Sequence, residues 1–303
     1  MYKIIDGKAI SAAVKAEVKS DIEKLNLEPR LIVILVGDNP ASQVYVNNKA
    51  KACEEVGIFS RTIVCSSEIT QEELIATIEE LNSNPRCNGI LVQLPLPSHI
   101  NEKAVLEAIS PEKDVDAFHP VNVGKIMQGK YEFAPCTPAG IMEMLERENI
   151  SVEGKHCVVV GRSNIVGKPM SMLLLHKNAT ITICHSKTSN LEEICRSADI
   201  LVAAVGKPNF ITNNMVKEGA ILIDVGINRV DGKLVGDIDF NNVKDKCSYI
   251  TPVPGGVGPM TIAMLMKNTL LAAINQQSRY ESISKFKQYI QDVVYGIAPI
   301  GKR

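Results

Sequence analysis

Tyr45 and Lys49 stand four residues apart in Tyr45-Val46-Asn47-Asn48-Lys49, a spacing that places both on one face of a helix. A lysine that is uncharged part of the time can carry a proton, and a tyrosine ring offers a flat face to a planar ligand. The same pair is common on ordinary amphipathic surfaces, and spacing alone does not separate the two readings. Gln93 lies near the end of the apolar run Gly89–Leu94, which Pro95 and Pro97 close, and Asp114 and Asp116 follow in Pro111-Glu112-Lys113-Asp114-Val115-Asp116. In doubly wound sheets, ligands collect outside the carboxyl ends of the strands. A lysine, an amide and a carboxylate would face one such crevice. The plainer reading of the two aspartates is a solvated acidic turn.

A second constellation is Val160-Gly161-Arg162-Ser163-Asn164-Ile165-Val166-Gly167-Lys168-Pro169. It sits between an apolar strand pattern and a helical pattern, where backbone amides and a helix N-terminus can receive a phosphate. Ser163 replaces the middle glycine of G-x-G-x-x-G, and Gly167 comes one residue late. It is not a Walker A loop either, since Pro169 stands where a Ser or Thr would hold magnesium. The next strand ends Cys184-His185-Ser186-Lys187-Thr188 with no carboxylate to hold a ribose, which leans to NADP over NAD. Arg162 and Ser186 are placed to reach a 2′-phosphate, although His185, Lys187 and Thr188 equally suit a strand cap. No G-x-S-x-G elbow and no H-E-x-x-H motif occurs. The eight cysteines include no C-x-x-C pair, so reduced thiols are expected and no metal site.

The elements that must position these residues alternate. Ile10, Val14, Val18, Ile22 and Leu25 mark an amphipathic helix, and Leu31–Val36 a buried strand ended by Gly37-Asp38-Asn39-Pro40. Further strands are expected at Thr62–Cys65, Gly89–Leu94, His156–Val160, Ala179–Cys184, Asp199–Val205 and Ala220–Val225, with helices between them. Thr70 with Glu73 forms a capping box, Thr137-Pro138 reads as a helix start, and Asp231-Gly232 as a hairpin turn. Thr251–Pro259, with three glycines and three prolines in nine residues, precedes a helix expected to end near Ala273. The fold class is therefore α/β, with two parallel-sheet domains and the second of Rossmann type. The domains expected are residues 1–120, catalytic, and 121–275, nucleotide-binding. Residues 276–303 form a tail that reads either as a helix docking on the first domain or as appended sequence.

Length and composition agree. The 303 residues suit two domains, and 45% hydrophobic with 22% charged residues exclude wholesale disorder. A formal charge of -1 without a basic block argues against nucleic acid. The apolar runs are strand-length, so no membrane span is expected, and no secretory signal is visible at Met1–Gly7. A cytoplasmic location is the expectation.

Taken together, Tyr45–Lys51, Val92–Pro97, Pro111–Asp116, Val160–Ser163 and Pro254–Thr261 resemble the bifunctional methylenetetrahydrofolate dehydrogenase/cyclohydrolase family, in order from about Ile5 to Ala273. The resemblance implies two reactions in one crevice: NADP-dependent oxidation of 5,10-methylenetetrahydrofolate, then hydrolysis of the methenyl product to 10-formyltetrahydrofolate. It implies a catalytic set of Lys49, Gln93 and Asp116, in which Lys49 moves protons, Gln93 bonds to it and Asp116 holds the pterin. Tyr45 would stack on the folate, with Val92, Leu94, Pro254, Gly255, Gly256, Val257, Gly258 and Pro259 bordering it. Gly161, Arg162, Ser163, Ser186 and Ile227 match cofactor-contacting positions. A homodimer and a part in purine biosynthesis are further implications. Ala117 stands where many relatives have glycine, and the tail after Gln276 exceeds the pattern. The alternatives are a two-domain dehydrogenase of another small acid, of the shikimate type, and a non-catalytic nucleotide-binding module. Neither accounts for the Lys49, Gln93 and Asp116 set.

Overall fold

Every second residue of Arg30–Val36 serves a different core, and this alternation organises the first half of the chain. The computed structural model describes residues 2–289. It begins with β1 (Lys3–Ile4) and α1 (Gly7–Leu25), followed by β2 (Arg30–Val36), α2 (Pro40–Val56), β3 (Phe59–Cys65), α3 (Gln71–Ser83), β4 (Gly89–Val92) and α4 (Glu102–Ala108). β2 lies between β3 and β4 and pairs with both in parallel. Leu31, Val33 and Leu35 enter one apolar cluster, and Ile32, Ile34 and Val36 enter another. A strand buried on both faces has no polar side, which is why the run is continuously apolar.

The second half repeats the scheme with α5 (Pro120–Met127), α6 (Cys136–Arg147), β5 (His156–Val160), α7 (Gly167–His176), β6 (Thr180–Cys184), α8 (Leu191–Arg196), β7 (Ile200–Ala203) and β8 (Ile221–Asp224). An antiparallel pair follows, β9 (Asn228–Val230) and β10 (Lys233–Val235), turned by Asp231 and Gly232 at positive φ, and then α9 (Phe240–Val243), β11 (Tyr249–Ile250) and α10 (Val257–Tyr289). The six-stranded parallel sheet has the order β1-β11-β8-β7-β5-β6. The chain winds out from β5 to β6 and returns to place β7 on the other side of β5, which opens a crevice at the carboxyl ends of β5 and β7. The two parallel sheets are separate, as expected of a two-domain α/β chain. The first strand crosses between them: β1 pairs with β11, so the chain's start is stitched into the second sheet.

Three local readings are corrected. The Gly- and Pro-interrupted stretch after Asp116 holds the helix α5, capped by His119, whose Nδ1 accepts from Val121 N at 3.1 Å. Thr137 is not a helix cap: α6 starts one residue earlier, and the Thr137 hydroxyl instead pairs with that of Thr261 at 2.9 Å. The last helix does not stop near Ala273. α10 runs on to Tyr289, because Ile274 to Ser278 contain no glycine or proline to end it. Gln276 Nε2 donates to the carbonyls of Asn88 (2.8 Å) and Glu112 (3.1 Å), and Arg279 pairs with Glu112 and Glu132. Residues 290–303 of the tail lie outside the described residues. Val257–Ser282 is apolar enough for a membrane span by composition, yet its most apolar window is 61% buried against the rest of the chain. It packs on α1 and α6 in one cluster that reaches from Leu31 to Val159, which joins the two halves through a shared core.

Candidate active site

α2 carries Tyr45 and Lys49 because its ends are well defined. Asn39 Oδ1 accepts from Ala41 N (2.9 Å) and Ser42 N (3.2 Å), Pro40 occupies the first turn, and Gly57 closes the helix at φ 84°. Val46, Cys53 and Val56 anchor the buried face, which leaves Tyr45 43% exposed. Lys49 Nζ donates to Gln93 Oε1 at 3.0 Å. Gln93 is held from both sides: its backbone N–H donates to Ile34 O (2.8 Å), and its side-chain Nε2 donates to Leu94 O (2.7 Å). With Nε2 spent on Leu94, the amide oxygen must face the lysine. The lysine's direct partner is therefore neutral.

The acidic turn divides its labour. Lys113, only 4% exposed, donates Nζ to the carbonyls of Leu81 (3.0 Å), Asn82 (2.7 Å) and Asn84 (2.8 Å) and so closes the C-terminal end of α3. Asp114 Oδ2 accepts from His119 N (2.8 Å) and Asn122 Nδ2 (2.9 Å), tying the turn to α5. Burial pushes the Asp114 carboxyl up to about 6. Only Asp116 is left for the crevice. Burial raises its pKa, and the nearby Lys49 charge pulls it back. Beside it, Cys136 Sγ lies 3.5 Å from Asp116 Oδ1. Burial first, then the Asp116 charge, drive the Cys136 thiol well above its ordinary range, so it remains a donor. Ala117 is fully buried at φ 58°. The left-handed backbone is thus kept at a cost of about 1 kcal/mol for the Cβ.

The Pro254–Pro259 loop is gripped by the start of α1. Lys8 N donates to Gly255 O (3.1 Å), and Ser11 Oγ donates to Pro259 O (3.1 Å). A Cβ on Gly7 would lie 1.8 Å from Gly256 O, so only glycine permits this approach. Pro254 is exposed, whereas the side chains of Val257 and Val92 are buried in the core. Ile227, 47% exposed, reaches toward Gly258, whose Cβ would stand 3.4 Å from Ile227 Cδ1. This contact brings the end of β8 against the glycine loop.

The turn after β5 fits a dinucleotide phosphate. A Cβ on Gly161 (φ 135°) would lie 2.3 Å from Ala204 O, and one on Gly167 would lie 2.1 Å from Gly161 O. The backbone is folded on itself with no room for side chains, which leaves main chain and the α7 N-terminus to meet a ligand. Ser163 Oγ accepts from Val166 N (3.1 Å) and Gly167 N (3.4 Å), so its proton is free to donate outward. Val160 and Cys184 are register partners, and Gly161 N donates to Cys184 O at 2.9 Å. Arg162 and Ser186, each two residues beyond that pair, are both exposed at neighbouring strand ends. His185 and Thr188 are used as caps: Thr188 Oγ1 accepts from His185 N (2.8 Å) and His185 Nδ1 from Lys187 N (3.2 Å). Among the described residues no cluster of three His, Cys, Asp or Glu side chains is arranged to hold a metal ion. The cysteines are all free thiols.

Sequence reasoning missed Cys136 beside Asp116, the helix-closing role of Lys113, and the carboxylates of Asp224 and Asp237 under the second sheet's loops. Their types gave no periodic signal. Each is defined by backbone groups brought from distant segments.

Known proteins show the same organisation. The family model described as tetrahydrofolate dehydrogenase/cyclohydrolase, catalytic domain, matches residues 5–116, and that described as tetrahydrofolate dehydrogenase/cyclohydrolase, NAD(P)-binding domain, matches residues 135–277. Bifunctional protein FolD of Acetivibrio thermocellus is 58% identical over 275 residues, covering 89% of this chain and 96% of that protein. The crystal structure of the bifunctional enzyme FolD of Campylobacter jejuni aligns with a TM-score of 0.89 at 52% identity, over 91% of this chain and 100% of that one. The Trypanosoma brucei dehydrogenase-cyclohydrolase, solved with NADP and an inhibitor, gives 0.86 at 38% identity, over 90% and 98%.

Proposed function

The chain belongs to the tetrahydrofolate dehydrogenase/cyclohydrolase family, and from that premise we propose that both reactions take place in the crevice between its sheets, where Asp116 and Gln93 position substrate and lysine and Lys49 moves the protons of hydrolysis. The activity is bifunctional: 5,10-methylenetetrahydrofolate is oxidised with NADP, and the 5,10-methenyl product is hydrolysed to 10-formyltetrahydrofolate. The observation that carries the site assignment is the Lys49–Gln93 hydrogen bond at 3.0 Å, with Asp116 close enough for the lysine's charge to be felt.

Hydrolysis requires a proton carrier. A water oxygen bonds to the methenyl carbon and gives one proton to Lys49 Nζ. The remaining hydroxyl proton leaves to solvent as the carbonyl forms and the bond from that carbon to N5 breaks, and the lysine passes its proton to the leaving nitrogen, so that one proton is released overall. The neutral amide of Gln93 orients Nζ at 3.0 Å. Asp116 accepts hydrogen bonds from the pterin, with Cys136 fixing one of its oxygens, and Tyr45 covers the ring. NADP, when bound, would supply the hydride acceptor. Gly161, Ser163 and the α7 N-terminus would hold its phosphates, and Arg162 with Ser186 its 2′-phosphate. Ile227 and the Pro254–Pro259 loop would enclose the reacting rings and keep bulk water out.

The absence of an acid at the end of β6 supports NADP over NAD. The shikimate-type reading is set aside because the catalytic-domain match covers the whole first unit. A homodimer is proposed through β6, an edge strand of the large sheet, and the exposed apolar Met127, Ile165, Leu175 and Ile183 near it. The proposed location is the cytoplasm, where the 10-formyl product would supply purine biosynthesis. The test is the absorbance of the methenyl intermediate formed from methylenetetrahydrofolate. Formation with NADP ahead of NAD, followed by decay, is expected; silence with both cofactors overturns the reading.

A further inference from the structure

Asp237 is fully buried, yet its carboxylate makes no contact in the catalytic set. It meets four N–H donors, three from the loop after β7 and one from Asn228 at the start of β9. Oδ2 accepts from Val205 N (2.7 Å) and Gly206 N (2.9 Å), and Oδ1 accepts from Lys207 N (2.9 Å) and Asn228 Nδ2 (2.9 Å). The first loop leaves β7 beside the glycine turn, where Ala204 N donates to Val160 O at 2.8 Å and Ala204 O stands over Gly161. The second leaves β8 and carries Ile227. Asp224 locks the other end of the arrangement by accepting from Gly226 N (3.0 Å), Asp237 N (2.9 Å) and Ile238 N (2.9 Å). The glycines confirm how closed it is: a Cβ on Gly226 would strike Asp237 Oδ1 at 2.2 Å, and one on Gly236 would strike Asp224 Oδ2 at 1.8 Å.

We propose that Asp237 is a positioning residue for the cofactor, setting the β7 and β8 loops at the distance that NADP must fill between Gly161 and Ile227. This rests on the assignment of those two residues to the cofactor site. The chemistry also says why the position takes aspartate. All four partners are donors, so both oxygens must accept, and an asparagine in either orientation turns an NH2 toward two N–H groups. A rigid support of this kind governs how well the site is formed before the ligand arrives.

The test is Asp237→Asn, measured for NADP-dependent oxidation and, separately, for hydrolysis of supplied methenyl substrate, which needs no hydride transfer. The expected result is a KM for NADP raised about tenfold, equivalent to roughly 1.4 kcal/mol, with hydrolysis within about twofold of wild type. A cofactor KM unchanged in the folded variant overturns the proposal, and so does a parallel fall in both activities, which would mark a purely structural role. If Asp237→Asn does not fold, Asn228→Ala removes one of the four donors. A rise of about threefold in KM for NADP is then expected, and no rise overturns the proposal. Arg162→Ala run alongside separates the two levels. If it leaves NADP binding untouched, the cofactor-site assignment itself is wrong; if it weakens NADP while Asp237→Asn does not, only the positioning role fails.

Discussion

Replacing Lys113 with methionine should damage stability far more than chemistry, although the residue sits between two acids in a turn that faces the substrate. Its ammonium is buried, and burial holds its pKa below the ordinary lysine range. Three carbonyls at the end of α3 receive it, at 2.7 to 3.0 Å. Methionine keeps the length and apolar stem but leaves those carbonyls without their donor. Hydrogen bonds to a charged group contribute about 1.5–3 kcal/mol each before desolvation, and removing the ammonium returns part of that cost. The net loss should be about 3 kcal/mol, or a melting point lower by about 5–10 °C for a chain of this size. Thermal unfolding of wild type and Lys113→Met, alongside steady-state kinetics, measures both. Because Asp114 still ties the turn to α5, kcat should remain within about fivefold. A variant that melts with the wild type but has lost activity a hundredfold would refute the reasoning and place Lys113 in the chemistry.

Two other perturbations follow from the geometry. Arg162→Ala should weaken NADP about ten- to hundredfold, the worth of one charge-assisted hydrogen bond, and NAD much less; equal losses in isothermal titration would mean that Arg162 grips the shared pyrophosphate. Asp114 has a folded pKa raised to about 6, above its value of about 3.9 when unfolded. Its contribution is fully present below pH of about 4 and is lost as pH rises through 6, costing the wild type about 1 kcal/mol between pH 5 and 7. Asp114→Asn, which can still accept from His119 N and Asn122 Nδ2 with one oxygen, should lack that loss. Urea unfolding at both pH values reads it, and identical pH dependence in the two proteins would count against a protonated Asp114.

What the sequence made legible was periodic or local. Leu31–Val36 and His156–Val160 read as buried strands because both faces are apolar, and Thr70 with Glu73 read as a helix start because the capping box is a four-residue signal. Gly161 and Gly167 were visible as a phosphate turn, although the clash with Ala204 O that requires Gly161 involves a residue 43 positions away. The roles inside Pro111–Asp116 were not separable by spacing. Lys113, Asp114 and Asp116 look alike as a charged turn, and only the placement of α3, α5 and Lys49 tells cap, tether and ligand apart. β1 was hidden for the same reason: two residues carry no period, and its partner β11 lies at the far end of the chain. Asp237 is the extreme case, since four N–H donors define it and none is adjacent to it in sequence.

Lys49→Met is the most direct measurement, with formation and decay of the methenyl intermediate followed separately in one enzyme preparation. Methionine has similar length but carries no proton, and Gln93 loses only one hydrogen bond. Hydride transfer needs no base of this kind, whereas ring opening needs a group that both takes and returns a proton. The expected result is that the intermediate still forms, more slowly as positioning suffers, and then accumulates without enzymatic decay, while NADP affinity stays near wild type. Decay at the wild-type rate with Lys49 gone would contradict the assignment and move the proton carrier to another group in the crevice.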